Sequence, residues 1–510
     1  MAIKVFNTLT RKKEELVPLR QGEIRMYVCG VTVYDLSHIG HGRSALAFDV
    51  IRRYLRYRGY EVRFIRNFTD VDDKIIKRAH EEGVPPGELA ERYIEEYRKD
   101  MAALSILPAD VEPKATDHIP QMIKLIERLV AKGVAYPLDG DVYFEVKRFP
   151  RYGRLSGKNL DELQAGARVE VDERKRDPLD FALWKASKEG EPAWPSPWGP
   201  GRPGWHIECS AMSMQYLGES FDIHAGGEDL VFPHHENEIA QSEAATGRPF
   251  VRYWIHNGFV NLGAEKMSKS LGNVLTLKEL LRHHEPEALR FYLLGTHYRN
   301  PLDFSTERVA EAARALERLR ALKVEADHIA SKGTPAPGPD GRLLDEVAAQ
   351  RVRFEAAMDD DFNTPQALGV LFDLARLLHT ARDQVAHGTA GAGSFLLGVS
   401  ELLMLGRVLG LLEKDSPLSY SGFLSTGAEG PPRARPQAYE FYATQPSDAP
   451  MLWWAEMQKK VEALMRQRED ARKRRDWTEA DRLREELKNL GVTIEDTPSE
   501  TRWTYHPRQT

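Results

Sequence analysis

Apolar and polar positions alternate from Ile24 to Cys29, the mark of a strand, and Gly30 then opens a loop that runs to His38-Ile39-Gly40-His41. Beyond it Ala47, Val50, Ile51, Tyr54 and Leu55 recur at i, i+3, i+4, i+7 and i+8, one face of a helix, with Gly59 as its stop. A second strand, Glu61 to Ile65, follows at once. Strand, glycine loop, helix and strand in that order predict a βαβ unit whose ligands lie beyond the carboxyl ends of the strands. Cys29 falls at such an end.

Leu89, Tyr93, Tyr97 and Met101 predict another helix, as do Ile119, Met122, Ile123, Ile126 and Val130 with Gly133 after them. Asp139-Gly140, between Val134 to Tyr136 and Val142 to Phe144, predicts a hairpin turn. Residues 148–204 are rich in Pro, Gly and Trp with weak periodicity and read as an insertion over the active face. The βα pattern then resumes: Phe221 to His224 as a strand, Ala225-Gly226-Gly227 as a loop, and a helix from His234 to about Gly247. From Ser305 onward the stripes are helical. Val309, Ala312, Ala313, Leu316 and Leu319 form one, and Leu368, Leu371, Phe372, Ala375 and Leu378 another, with Thr364 as N-cap and Pro365 at the first helical position. Gly333 to Gly341 and Ser416 to Pro450 read as Pro-biased links. In the tail, Thr478 is the expected cap of a helix carrying Ala480, Leu483, Leu487 and Leu490, with Asp481 in the capping-box position, and Val492 to Ile494 is expected to pair with Arg502 to Tyr505. The fold class that follows is α/β, a Rossmann-like parallel sheet with an insertion, then an α-helical bundle and a small C-terminal α+β module.

Composition changes this picture in two places. The net charge of -6 gives no general attraction to nucleic acid, so any such contact must use local patches. The chain contains only two cysteines, Cys29 and Cys209, too few for a disulfide framework; they read either as buried thiols or as metal ligands. No apolar run reaches the ~18 residues of a membrane span. The first residues, Met1 to Leu16, are charged at Lys4, Arg11, Lys12 and Lys13 and lack an apolar signal core, so a cytoplasmic location is expected.

His38-Ile39-Gly40-His41 at the mouth of a helix offers two imidazoles and a bare backbone to a polyphosphate. Lys266-Met267-Ser268-Lys269-Ser270 is a loop with two ammonium groups able to neutralise charge on a transferring phosphate, or else a solvated basic loop. His234 and Glu238, spaced i, i+4, project from one face of a helix. With the two thiols they make a donor set of two sulfurs, one imidazole and one carboxylate, which suits Zn²⁺ better than Mg²⁺ or Ca²⁺. A substrate that is itself a thiol would add one more sulfur.

These residues stand in stretches that resemble the cysteinyl-tRNA synthetases, a family of class I aminoacyl-tRNA synthetases: Phe6 to Thr10, Tyr27 to Asp35, His38 to His41, Asn67 to Lys74, Gly204 to Met212, Phe232 to Glu238, Lys266 to Ser270 and Thr501 to Trp503. The resemblance runs nearly end to end. It implies a nucleotide-binding fold over 1–115 and 201–260 split by an insertion at 116–200, a connecting fold with the lysine loop at 261–304, a helical bundle at 305–415, a Pro-rich link at 416–450 and an anticodon-binding module at 451–510. It also implies ATP-dependent activation of L-cysteine and transfer of the cysteinyl group to the 3′ end of tRNA(Cys). His38, His41, Lys266 and Lys269 match the family's catalytic positions, with Gly40, Ser268 and Ser270 beside ATP. Cys29, Cys209, His234 and Glu238 match its zinc ligands, and Gly30, Thr69, Trp205 and Asp229 fall in the amino-acid pocket. One zinc per chain, Mg²⁺ with ATP, and a monomer without membrane attachment are expected.

The basic run Arg466, Arg468, Arg472, Lys473, Arg474 and Arg475 reads equally as a phosphate contact or a solvated helix face. Trp503 and Tyr505 read as stacking partners for unpaired bases or as core. Two alternatives fit the same chemistry: the cysteine ligase of mycothiol biosynthesis, which needs no anticodon module, and a non-catalytic RNA-binding relative, against which the intact signatures speak.

Overall fold

The computed structural model describes residues 2–158, 174–262, 265–266, 275–331, 341–386 and 392–413, and in the tail 464, 467–468, 471, 474, 476–489, 492–496 and 501–505. The Gly333 to Gly341 link lies almost wholly outside the described residues, and the 416–450 link wholly so. The chain divides into two units, 1–426 and 427–510.

The first unit is built on a four-stranded parallel sheet. Its strands are β3 (Glu23–Thr32), β4 (Glu61–Thr69), β9 (Phe221–Gly227) and β10 (Val251–Asn257), in the order β10-β9-β3-β4. Between β3 and β4 runs α1 (Ile39–Tyr57), and its buried stripe includes every apolar position that the sequence periodicity selects. The chain leaves β3 toward β4 on one side and returns by β9 on the other, so the carboxyl ends part between β3 and β9. That is where open α/β sheets bind ligands.

Two strands run further than their hydrophobic patterns indicate. Gly30 does not open a loop; β3 continues to Thr32 through a bulge in which Cys29 and Gly30 together face Asn67 of β4. A Cβ on Gly30 would stand 1.6 Å from the Asn67 carbonyl oxygen, so the close approach admits glycine only. Likewise Ala225 to Gly227 belongs to β9, paired with Ile255 to Asn257 of β10. Glycine depressed the strand signal in both, whereas ladder bonds of central strands hold them extended.

The 135–203 region forms its own antiparallel sheet, β5 (Ala135–Leu138), β6 (Asp141–Phe144), β7 (Phe181–Ala186) and β8 (Gly201–Pro203), with Asp139 and Gly140 at positive φ in the hairpin turn. The weak periodicity of 148–204 concealed β7 and β8, which are short and pair with each other. Its neighbour α6 (Glu236–Thr246) clasps the start of the insertion: buried Glu236 accepts from the Ser156 backbone N–H at 2.8 Å, and the Tyr152 hydroxyl donates to Asn237 at 2.5 Å.

Helices α9 (Thr306–Ser331), α10 (Gly341–Asp359), α11 (Thr364–Ala386) and α12 (Ala392–Val408) make a bundle. Asn363, not Thr364, caps α11: its side-chain oxygen accepts from Gln366 N–H at 3.2 Å, while the Thr364 hydroxyl donates to the Leu294 carbonyl. The bundle is tied to α1 by buried charge. Asp49 accepts from Arg53 and Arg290 at 2.8 Å each and from Arg52 at 3.2 Å, and Arg290 also donates to the carbonyls of Leu409 and Leu104.

The second unit has α13 (Trp477–Asn489) followed by the antiparallel pair β14 (Val492–Asp496) and β15 (Thr501–Tyr505). Asp476 supplies the cap that the sequence assigned to Thr478, accepting from Glu479 N–H at 3.2 Å; the helix therefore starts one residue before Thr478, and Asp481 has no capping-box place. Among the described residues, no helix is long and apolar enough to cross a membrane.

The Asp49 cluster carries a prediction. Burial would raise this carboxyl, but Arg53, Arg290 and Arg52 hold it well below the usual carboxylate range. A depressed folded pKa gives stability that is present above the unfolded value of ~3.9 and lost as pH falls through the folded one. Asp49→Asn should cost about 3–5 kcal/mol at pH 7 by stranding buried guanidinium groups, and the deficit relative to wild type should shrink below about pH 4. Urea unfolding at both pH values checks this.

Candidate active site and metal centre

At the parting of β3 and β9 lies a cavity of about 340 Å³, lined by Cys29, Gly30, Thr32, His38, Gly40, His41, Asn67, Thr69, Trp205, Cys209, Asp229 and His234, among others. The metal-ligand candidates gather at its wall from four places in the chain. Cys29 comes from the β3 bulge, Cys209 from α5 (Trp205–Leu217) and His234 from the turn before α6, all three on the lining, and Glu238 lies behind them in the first turn of α6. His234 does not sit on the α-helix as expected; it lies in a π-turn, Val231–His235, directly before α6. The turn still points both side chains at one locus, with His234 Nε2 3.1 Å from Glu238 Oε1.

Donor atoms of Cys29, Cys209, His234 and Glu238 all lie within 4.8 Å of one another. Two bonds of ~2.0–2.3 Å to a common ion reach nearly that span. His234 Nε2 and Glu238 Oε2 are buried without hydrogen-bond partners, the condition a metal would relieve. A second set, Cys29, His224, His235 and Glu238, is equally compact and shares Cys29 and Glu238 with the first. Only the first contributes Cys209 and His234 to the cavity wall.

The electrostatics favour a cation. Burial alone would raise the Cys209 thiol, yet contacts with Cys29 and His234 bring it down to about 6. Burial would lower His234, but Glu238 and Cys209 hold it up to about 10. Cys29 is pushed up, by burial first and then by Cys209 and Glu238. Burial would also raise Glu238, and His224 and His234 overcome it. A thiolate, a carboxylate and a second thiol thus crowd one buried point, with the His234 imidazolium as their counter-charge.

Histidines outside the predicted set orient this cluster. His234 Nδ1 is 2.9 Å from His206 Nδ1, and burial together with the charge of His234 keeps His206 well below its ordinary pKa. Neutral His206 therefore accepts, His234 donates through Nδ1, and Nε2 turns to the cluster. A chain of contacts joins Thr8 Oγ1 to His256 Nδ1 (2.8 Å), His256 Nε2 to His235 Nδ1 (2.8 Å), and His235 Nε2 to Cys29 Sγ (3.3 Å), with His224 Nε2 at 3.3 Å on the same sulfur. His224 and His256 are buried in apolar strands, β9 and β10, where an imidazole must find a polar partner. That was the available signal. Asn67 was missed as a site residue for the opposite reason, its polarity at a strand end being unremarkable; it accepts from Gly30 N–H at 2.9 Å and faces Cys209 at 3.7 Å.

On the nucleotide side, His38 is the N-cap of α1 and His41 its third residue. His38 Nδ1 accepts from His41 N–H and His41 Nδ1 from His38 N–H, at 3.3 and 3.4 Å, and the rings stack with centroids 3.6 Å apart. Both Nδ1 atoms accept, so each neutral ring carries its proton on Nε2, a donor for an anion at the helix mouth. Gly40, between them, bares the backbone. The segment after the lysine loop is pinned here: Ile39 N–H donates to Leu275 and Leu277 N–H to Ser37. Before the loop, Lys266 lies in the short strand β12 (Glu265–Lys266), paired with Asn261 of β11 (Val260–Leu262). Ser268, Lys269 and Ser270 lie outside the described residues.

Trp205 is 38% exposed and stacks on His234 with centroids 4.4 Å apart, forming a wall of the cavity. Thr69 is buried and Asp229 exposed, both on the lining. Of the basic tail run, Arg468 is buried, which removes it as a phosphate contact, and Arg474 is exposed; the others lie outside the described residues. Of Trp503 and Tyr505 only the backbone pairing in β15 is described.

Comparison with solved structures first defines the fold. The chain aligns with Mycobacterium tuberculosis methionyl-tRNA synthetase in complex with methionyl-adenylate (TM-score 0.58, 18% identity, 76% of this chain and 90% of the other) and with the LeuRS of Agrobacterium radiobacter in a ternary complex with tRNA and LeuAMS (TM-score 0.55, 13% identity, 78% and 86%), so the fold is that of these synthetases. Family models match in chain order: the class I (C) tRNA synthetase catalytic domain over 15–314, the DALR domain over 353–413 and the cysteinyl-tRNA ligase anticodon binding domain over 455–503. Relatives called cysteine–tRNA ligase from Geobacter sulfurreducens (52% identical, 99% of both chains) and Pelotomaculum thermopropionicum (51%, 98% and 99%) match along the whole length. The chain belongs to the cysteine–tRNA ligase family of class I aminoacyl-tRNA synthetases.

Cys209→Ser and His234→Ala should each abolish stoichiometric zinc binding, by leaving the remaining buried donors too few; metal analysis of purified, folded protein checks it, with full zinc content as the contrary result.

Proposed function

We propose that this chain activates L-cysteine with ATP to cysteinyl-adenylate and pyrophosphate, then transfers the cysteinyl group to the 3′ end of tRNA(Cys). The observation that carries the reading is the buried two-sulfur cluster opening onto the same cavity as the His38/His41 helix mouth. Relatives about half identical over the full length support the same activity.

Cys29, Cys209, His234 and Glu238 would hold one zinc ion, which would supply a Lewis acid for the substrate's sulfur as thiolate, an interaction that a serine hydroxyl does not match at neutral pH. An apolar pocket alone separates such isosteres by only ~10²-fold. Trp205 closes the wall over the side chain, and Gly30, Thr69 and Asp229 bound the region for the α-ammonium and α-carboxylate groups. In the first step a carboxylate oxygen attacks the α-phosphorus and the bond to pyrophosphate breaks. His38 and His41 offer Nε2–H donors to the phosphates, Gly40 admits them to the backbone, and Lys266 and Lys269, with Ser268 and Ser270 beside them, neutralise charge on the departing pyrophosphate together with Mg²⁺. In the second step the terminal ribose hydroxyl attacks the carbonyl carbon and AMP leaves.

The anticodon-domain match at 455–503 favours tRNA as the acceptor over an amino sugar. A monomer working in the cytoplasm completes the reading. Cysteine-dependent pyrophosphate exchange, followed by acceptor tests with tRNA(Cys) and an amino sugar, decides it: exchange plus tRNA charging is expected, and exchange with amino-sugar coupling alone would favour the mycothiol-type ligase. Lys269→Ala should slow exchange about 10²-fold or more while leaving cysteine binding intact; an unchanged exchange rate would remove Lys269 from the reaction.

A further inference from the structure

One turn of α5 sets two side chains, Trp205 and Cys209, on the cavity wall and a third, Glu208, behind it. Trp205, Glu208 and Cys209 are spaced i, i+3, i+4 and share a helix face. Trp205 stacks on His234 and Cys209 joins the metal cluster, but Glu208 belongs to neither. It is 1% exposed, and its Oε2 accepts a hydrogen bond of 2.8 Å from the Thr69 hydroxyl across the sheet. Thr69 is 3% exposed and lines the cavity.

A hydroxyl has one proton and two lone pairs. With its proton committed to Glu208, the Thr69 oxygen has only acceptor capacity left for the cavity. The Thr69 hydroxyl is the donor in this bond, and an ionised or a neutral carboxyl alike can accept from it. Asp229 stands on the same cavity lining and brings a carboxylate to this region, which suits a cation. From this we infer that Glu208 is a positioning residue: by holding the Thr69 proton it makes that hydroxyl an acceptor for the α-ammonium group of the amino-acid substrate. The inference rests on the aminoacylation reading and assigns one wall of its pocket to one substrate group. It also couples the two ends of recognition, since neighbouring residues of one helix set the thiol-binding centre and the ammonium acceptor.

The test compares three ligands on wild type, Glu208→Met, which removes the acceptor, and Glu208→Gln, which keeps a carbonyl oxygen. The readouts are zinc content, KM for cysteine and kcat in pyrophosphate exchange, and the inhibition constants of cysteamine, which has thiol and ammonium, and 3-mercaptopropionate, which has thiol and carboxylate. Glu208→Met should weaken cysteine and cysteamine by ~10-fold or more, as for a lost hydrogen bond to a charged group, with 3-mercaptopropionate changed little and zinc retained. Glu208→Gln should recover most of the loss. Equal weakening of all three ligands, or unchanged cysteamine, overturns the inference. If Glu208→Met fails to fold or loses zinc, Thr69→Val takes its place and must show the same ammonium-selective loss, or the inference fails. Absence of cysteine-dependent exchange in the wild type would count against the proposed activity, not against Glu208.

Discussion

Glu238 carries a carboxylate into a point with no solvent exposure, where an unpaired negative charge costs several kcal/mol. Three imidazoles face it: His234 at 3.1 Å, His224 at 3.5 Å and His235 at 3.9 Å. Two thiols stand in the same space. Such a concentration of buried donors is stable only where cations or protons are shared among them, and most of the catalytic half can be understood as the frame that holds them there. The β3 bulge aims Cys29 inward, the π-turn before α6 aligns His234 with Glu238, and the imidazole chain from Thr8 fixes which nitrogen each ring presents.

The same frame sets the reaction centre against a helix mouth. Because β3 leads into α1 after only a short connection, the strand that carries Cys29 is followed by His38 and His41 at the start of that helix, and the bonds from Ile39 to Leu275 and from Leu277 to Ser37 bring the far end of the lysine loop to the same place. The proposed sulfur-binding Cys29 and the proposed phosphate-binding His38 and His41 are thus joined by a few residues of backbone. The Asp49 cluster anchors α1 beyond its midpoint, so the bundle is fastened to the helix that carries the proposed phosphate-binding residues.

Much of this was legible in the amino-acid sequence where periodicity and chemistry agreed. The α1 stripe, the 135–144 hairpin with Asp139-Gly140, the pairing of β14 with β15 and the family itself follow from residue pattern or motif. Boundaries failed where a local rule met a stronger tertiary one. Gly30 and Gly226 look like loop residues, yet central-strand pairing keeps both extended. Thr364 and Thr478 look like caps, yet Asn363 and Asp476 take the place one and two residues earlier. Of the site, the four proposed ligands could be found from the rarity of cysteine and the His234/Glu238 spacing. His206, His224, His235, His256, Asn67 and Glu208 could not, because their roles come from contacts between strands and helices far apart in sequence. A buried histidine in an apolar strand is the one hint that sequence offers.

The central claim is that the buried cluster recognises the substrate by its sulfur. Cobalt substituted for zinc reports this directly, since each sulfur bound to cobalt adds to a charge-transfer absorption in the near ultraviolet. The account predicts that this band grows when cysteine is added and stays unchanged with serine at the same concentration. No growth with cysteine, or equal growth with serine, would contradict it.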